Sequence, residues 1–109
     1  MIIMNTTQAA KYFECISSPT RLDIFSLLIR YGSEGLVAGE IATKLGLPAS
    51  NLSFHLKALT HCQLISVVQE GRFLRYRANL SLMKNLASYL TQQCCIAQSG
   101  KTDCKEEAI

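Results

Sequence analysis

Residues 39–59, GEIATKLGLPASNLSFHLKAL, decide the fold. They spell two short helices around a tight corner. In GEIATKLG the apolar Ile41, Ala42 and Leu45 share one face, and Gly46 follows where a left-handed backbone closes a helix. Pro48 cannot extend that helix, but its fixed φ suits the first turn of the next one. In PASNLSFHLKAL, Leu52, Leu56 and Leu59 form a stripe, leaving Ser50, Asn51, Ser53, Phe54, His55 and Lys57 on the other sides. Hydroxyl, amide and imidazole groups beside a lysine are what a helix needs to bond phosphates and base edges in a major groove. The pattern predicts a helix-turn-helix whose second helix reads DNA. The same residues would also suit a helical hairpin with a polar outer face, so the flanking segments have to separate the two readings.

Downstream, LISVVQEGRFLRYRA (64–78) alternates at period two about Glu70 and Gly71. Ile65 and Val67 precede the turn, and Leu74, Tyr76 and Ala78 follow on one face with Phe73, Arg75 and Arg77 on the other. This predicts a β-hairpin with a basic tip, a wing whose apolar face rests on the helices and whose Arg72, Arg75 and Arg77 reach phosphates or a minor groove. Upstream, TTQAAKYFECIS (6–17) reads as an amphipathic helix with Ala9, Tyr12, Phe13 and Ile16 inward. Ser18 and Pro19 then open an apolar core helix carrying Leu22, Ile24, Phe25, Leu27, Leu28 and Ile29, which Gly32 ends. Residues 33–37 read as a loop. A last helix is expected from about Ser81 to Gln93, capped by Asn79 or Ser81, with Leu82, Leu86, Tyr89 and Leu90 on a stripe available to a partner subunit. The fold class is thus mainly α, a winged helix-turn-helix of order α-α-α-α-β-β-α, with residues 1–98 as the domain and 99–109 as a polar, mobile tail.

At 109 residues the chain makes one domain, near the small end of what buries a self-sufficient core, so dimerisation would help. Its 49% apolar content excludes a disordered chain, and no apolar run approaches the ~18 residues of a membrane span. The first residues, MIIMNTTQAAKYF, lack the basic start and long apolar segment of a signal peptide, which makes the cytoplasm the expected location. The net charge of +3 is unevenly divided. From Lys44 to Lys84 six basic residues face one acid, Glu70, which is +5, and the remainder sums to −2. A central basic block suits contact with a polyanion. Five cysteines in a reducing compartment are not expected to be disulfide staples, and Cys15 and Cys62 read as small buried hydrophobes.

With these blocks in order, Ser50, Ser53, His55, Leu56 and Leu59 fit the S-x-x-S-x-H-L-x-x-L recognition-helix pattern, and the chain resembles the ArsR/SmtB family of metal-sensing repressors. SSPTRLDIFSLL from Ser17 and LISVVQEGRFLRYRA from Leu64 resemble that family as well, so the likeness spans nearly the whole domain. It implies a homodimer placing two recognition helices on a palindromic operator, released by an inducer, with Ser50, Asn51, Ser53 and His55 as base or phosphate contacts. The chain departs from two of the family's sensor sites. Where many arsenic-responsive members carry Cys-x-Cys, this chain reads GLVAGEIA. Its last helix has no His, because His55 and His61 are the only two in the chain.

Cys94 and Cys95 at the end of the last helix instead resemble the Cys-Cys pair of some arsenic-responsive members, with Cys104 nine residues on. Adjacent helical residues point about 100° apart, so sharing one ion requires the helix to end or distort there. Two or three sulfurs without imidazole or carboxylate suit a soft ion, and arsenite or antimonite, As(III) or Sb(III), prefers three thiolates. The third sulfur is Cys104 or, if the first and last helices pack together, Cys15. No other cofactor is expected. Three rivals stand beside this reading. The same thiols could be oxidised, the fold could serve protein contacts alone, or the chain could be a thiol enzyme. The last lacks an anion-cradling loop after a cysteine, so no enzyme is expected.

Overall fold

The computed structural model describes residues 4–98, with side chains described as far as Gln92. Helix α1 (Thr6–Cys15) starts at Asn5, whose side chain accepts from the Gln8 amide while the Gln8 side chain accepts from the Asn5 amide. That reciprocal cap stabilises the first turn by satisfying donors a helix leaves unpaired. Helix α2 (Pro19–Tyr31) is capped by Ser18 with Pro19 at its first position, and Gly32 closes it at φ 52°. Next come β1 (Leu36–Val37), α3 (Ala38–Leu45), α4 (Ala49–His61), β2 (Ile65–Glu70), β3 (Phe73–Ala78) and α5 (Leu80–Gln98). This is the expected winged helix-turn-helix.

Five details differ from expectation. The segment 33–37 is not all loop: Leu36 and Val37 pair with Tyr76 and Arg75, making a three-stranded sheet of order β1-β3-β2. Two residues are too few to display a period-two pattern, so nothing in the sequence marks them as a strand. Helix α1 stops at Cys15 rather than running to residue 17. Leu22 faces solvent, 46% exposed, while the core of α2 is Ile24, Phe25, Leu27 and Leu28. Helix α5 runs to Gln98 rather than ending near Gln93, there being no Pro or Gly before Gly100 to stop it. Its cap is Asn79, which accepts from the Leu82 amide and donates to the Gln63 carbonyl. Leu82, Leu86 and Tyr89 of its stripe pack on the chain's own core, leaving Leu90 54% exposed.

The core is a single cluster in which Ile24 and Leu28 of α2, Ile41 of α3, Leu59 of α4 and the adjacent Leu64 and Ile65 are fully buried. Hairpin register sets Ile65 opposite Ala78 and Val67 opposite Tyr76, as the alternation implied. Only the root of that face is covered, since Ile65 and Tyr76 are buried and Leu74 nearer the tip is 44% exposed. The wing is therefore anchored at its base. Gly35 permits the close approach of the chain entering β1 to β3: at φ +64° it lies so close to the strand that a Cβ would meet the Tyr76 carbonyl oxygen and stand 2.7 Å from Arg77 Cγ. Gly46 has a similar φ, +64°, but open space around it. Gly35→Ala is accordingly expected to lower Tm well beyond Gly46→Ala in thermal melts, at ~4–8 °C per kcal/mol of added destabilisation. Equal shifts would mean that backbone conformation alone, not the contact with β3, requires the glycine.

Candidate nucleic-acid interface

Helix α4 has two unlike sides. Leu52, Leu56 and Leu59 are 2%, 2% and 0% exposed, and burying each contributes roughly 1.5–3 kcal/mol. They fix the rotation of the helix about its axis. Ser50, Asn51, Ser53, Phe54 and Lys57 are consequently exposed on the outer side, beyond the corner that Gly46 makes at φ 64° and Pro48 makes as the N-cap. The helix carries no acidic residue, so its outer surface offers hydroxyl and amide groups and the Lys57 cation without a competing carboxylate. Such a surface suits phosphates and base edges.

His55 is placed differently from the other predicted contacts. It is half-buried, and its Nδ1 accepts a hydrogen bond from Arg21 Nε at 3.1 Å. With Nδ1 so engaged the neutral ring carries its proton on Nε2 and can donate there. Arg21 also donates to the Cys15 carbonyl at 3.4 Å, and its guanidinium lies 5.8 Å from the Phe54 ring centroid. Phe54 meets the His55 ring edge-on at 5.3 Å and is 64% exposed, a large apolar group on the outermost side of the helix. Arg21 was not among the expected site residues. Its place in the SSPTRL block, just after the α2 cap, was the only sequence signal for it.

On the wing, Arg72 sits exposed at the turn that Gly71 makes at φ 65°. Arg75 and Arg77 are partly exposed and make contacts within the protein that the sequence did not announce. Arg75 Nε pairs with Glu70 Oε1 at 2.8 Å and its Nη1 donates to the Glu34 carbonyl, while Arg77 Nε donates to the Ser33 carbonyl at 2.7 Å and its Nη2 lies 3.9 Å from Glu70. The hydrogen bond to Glu70 raises the Arg75 pKa further above its ordinary value, so its charge is permanent. These two arginines tie the wing to the loop before β1. An exposed ion pair of this sort contributes little stability, so its effect is to orient the side chains.

Two of the sulfurs are arranged unlike expectation. Cys15, the last residue of α1, and Cys62, the C-cap of α4, form a disulfide with Cα atoms 7.0 Å apart across a sequence separation of 47. They are not plain packing residues, and in this form Cys15 is committed to Cys62 rather than to the C-terminal thiols. Cys94 and Cys95 fall on α5, with side chains outside the described set, and Cys104 lies outside the described residues altogether. Because α5 continues through Gln98, the helix does not end at the pair, which leaves distortion as the way for both sulfurs to share an ion. Among the described residues no group of three or more His, Cys, Asp or Glu side chains could hold a metal, and no helix is long and apolar enough to cross a membrane.

Comparison with known proteins agrees with this geometry. Residues 16–68 match the family model described as a helix-turn-helix domain. The HTH-type transcriptional regulator CmtR of Mycobacterium bovis is 32% identical, the match covering 87% of this chain and 85% of that protein. The transcriptional repressor SdpR of Bacillus subtilis is 31% identical over 72% of this chain and 83% of its own length. An ArsR-like transcriptional regulator from Rhodococcus sp. RHA1 superposes with a TM-score of 0.64 at 27% identity, covering 89% of this chain and 96% of that one. The chain belongs to the ArsR/SmtB family of winged-helix transcriptional regulators, which are not enzymes.

Proposed function

We propose that this chain is a cytoplasmic transcriptional repressor that binds operator DNA as a homodimer and is released when arsenite or antimonite binds Cys94, Cys95 and Cys104. The observation that carries the DNA-binding part is the two-sidedness of α4: with Leu52, Leu56 and Leu59 buried, Ser50, Asn51, Ser53, Phe54 and Lys57 are exposed on the other side, with half-buried His55 among them. CmtR and SdpR, a regulator and a repressor, favour the same reading. Two copies are needed because one α4 spans a single groove segment, and a palindromic site matches a two-fold dimer. Leu90, exposed on α5 beside the packed Tyr89, offers apolar surface for the second copy. The inducer assignment rests on ligand chemistry. Sulfur-only donors select thiophilic ions, and a third thiolate from the tail or the partner subunit completes a pyramidal arsenic site. Because α5 is unbroken at Cys94 and Cys95, taking up the ion requires the helix to distort at the pair, which is how binding would be passed to the rest of the helix.

Two measurements test the parts separately. With duplexes selected from a random-sequence pool, Lys57→Ala and Arg72→Ala are expected to weaken all binding and lower the slope of log affinity against log salt by about one each. Arg75→Ala should change that slope less, its guanidinium being held by Glu70. Asn51→Ala should instead cost ~1–3 kcal/mol on the preferred sequence and relax base preference. Slopes untouched by all three charge changes would remove α4 and the wing from the interface. In the second measurement arsenite titrated against the complex should lower affinity ~5 to 150-fold. Cys94→Ser and Cys95→Ser, each scored against its own affinity without arsenite, should lose that response. A complex indifferent to arsenite refutes the inducer.

A further inference from the structure

The Cys15–Cys62 pair joins the end of α1 to the C-cap of the DNA-reading helix. The inducer site proposed above, Cys94, Cys95 and Cys104, uses neither of these sulfurs. Both lie within hydrogen-bond reach of one acceptor, the Ala58 carbonyl, at 3.1 Å from Cys62 Sγ and 3.7 Å from Cys15 Sγ. That carbonyl can receive a thiol proton from either residue, so the same seat accommodates a dithiol as well as a disulfide. The two residues also line an open groove between α1 and α4 together with Lys11, Arg21, Phe54 and Lys57. Cys62 is half-buried there, whereas Cys15 is 8% exposed, so one sulfur is reachable from solvent and the other lies behind it.

We propose that Cys15 and Cys62 form a thiol–disulfide switch, separate from the C-terminal thiols, in which oxidation by a hydroperoxide weakens operator binding by locking α4 to α1. The inference rests on the repressor reading above. The chemistry balances with a hydroperoxide as oxidant. The Cys62 thiolate, in a groove with three cations against the single carboxylate of Glu14, attacks a peroxide oxygen. The O–O bond breaks, leaving a sulfenic acid on Cys62 and expelling water or an alcohol. Cys15 then attacks that sulfur, the S–S bond forms and a second oxygen leaves as water. Two electrons pass from the sulfurs to the peroxide, and the two thiol protons end in the products. A dithiol reductant returns both by exchange.

The consequence for DNA follows from what the bond holds in place. Cys15 contributes the carbonyl that accepts from Arg21, and Arg21 in turn bonds His55 Nδ1 and overlies Phe54. In the disulfide form three side chains at the reading surface are thereby occupied with one another. Helix α1 is itself tied to α5 through Thr6 and Tyr89, whose hydroxyls are 3.0 Å apart. The covalent link therefore ties α4 to the α1–α5 pair and holds Arg21, His55 and Phe54 in their mutual contacts. Reduction releases that constraint and lets Arg21 and His55 exchange their mutual contact for phosphate.

The test uses the full chain, reduced or oxidised with hydrogen peroxide, against a duplex selected from a random pool by the reduced form. Peptide mass mapping reports the linkage in the same samples. Oxidised protein carrying a Cys15–Cys62 link is expected to bind about tenfold more weakly, to recover fully with a dithiol reductant, and to lose its peroxide response in Cys15→Ser and in Cys62→Ser, each checked for folding by circular dichroism. If a serine variant fails to fold, the mapped linkage and the affinity change in the unaltered chain decide alone. Equal or tighter binding by the linked form, an affinity change without that linkage, or a response that persists in a folded serine variant overturns the inference. Failure of the reduced form to select any duplex overturns the repressor reading and this inference together, a result distinct from the other three.

Discussion

The burial of one leucine stripe governs what this molecule can present to a nucleic acid. Leu52, Leu56 and Leu59 face Ile24 and Leu28 of α2 and Ile41 of α3 in one core, and rotating α4 to bring any of its polar residues inward would expose all three. At ~25 cal/mol per Å² of apolar surface, that exposure costs several kcal/mol, a large part of the total stability of a domain this small. The outward direction of Ser50, Asn51, Ser53 and Lys57 is thus set by packing, and the reading surface is organised before any ligand arrives. Preorganisation of this kind matters because every side chain ordered on binding subtracts from affinity.

The wing works by a different balance. Its two strands cover the core only near Ile65 and Tyr76, and a two-stranded ribbon is marginal by itself. Support comes from β1, which adds a third strand, and from Arg75 and Arg77, which reach Glu70 and the carbonyls of Ser33 and Glu34. Two of the three wing arginines are thereby spent on holding the wing, and the cation left at the tip is Arg72. The charge of the basic block is real, but it is spread over four places: three of its six cations lie on the wing, with Lys44 on α3, Lys57 on α4 and Lys84 on α5.

Much of this was legible in the sequence because the relevant signals are local. Gly46, Pro48 and the 52/56/59 spacing mark the corner and the buried stripe within a dozen residues, and alternation about Gly71 marks the hairpin. What escaped is non-local or too short to carry a period. Leu36 and Val37 become a strand only because Tyr76 and Arg75 are beside them. Arg75 and Arg77 read as outward-facing cations because the carbonyls they bond lie some 41 and 44 residues away. Leu82, Leu86 and Tyr89 read as a stripe for a partner because nothing in their spacing reveals that α5 folds back onto α1. The cysteines show the same limit. Taken singly, Cys15 and Cys62 look like small apolar residues, and their pairing follows from the packing of one helix end against another. Their positions at the ends of two predicted helices were the only hint.

The central claim is that the outer side of α4 occupies a major groove. Dimethyl sulfate interference on a selected duplex tests it most directly, because methylation at guanine N7 alters the major groove and at adenine N3 the minor groove. The expected result is interference at guanine N7 in two patches about one helical turn apart, one for each subunit of a dimer. Interference confined to adenine N3, or none at either position despite tight binding, would contradict it.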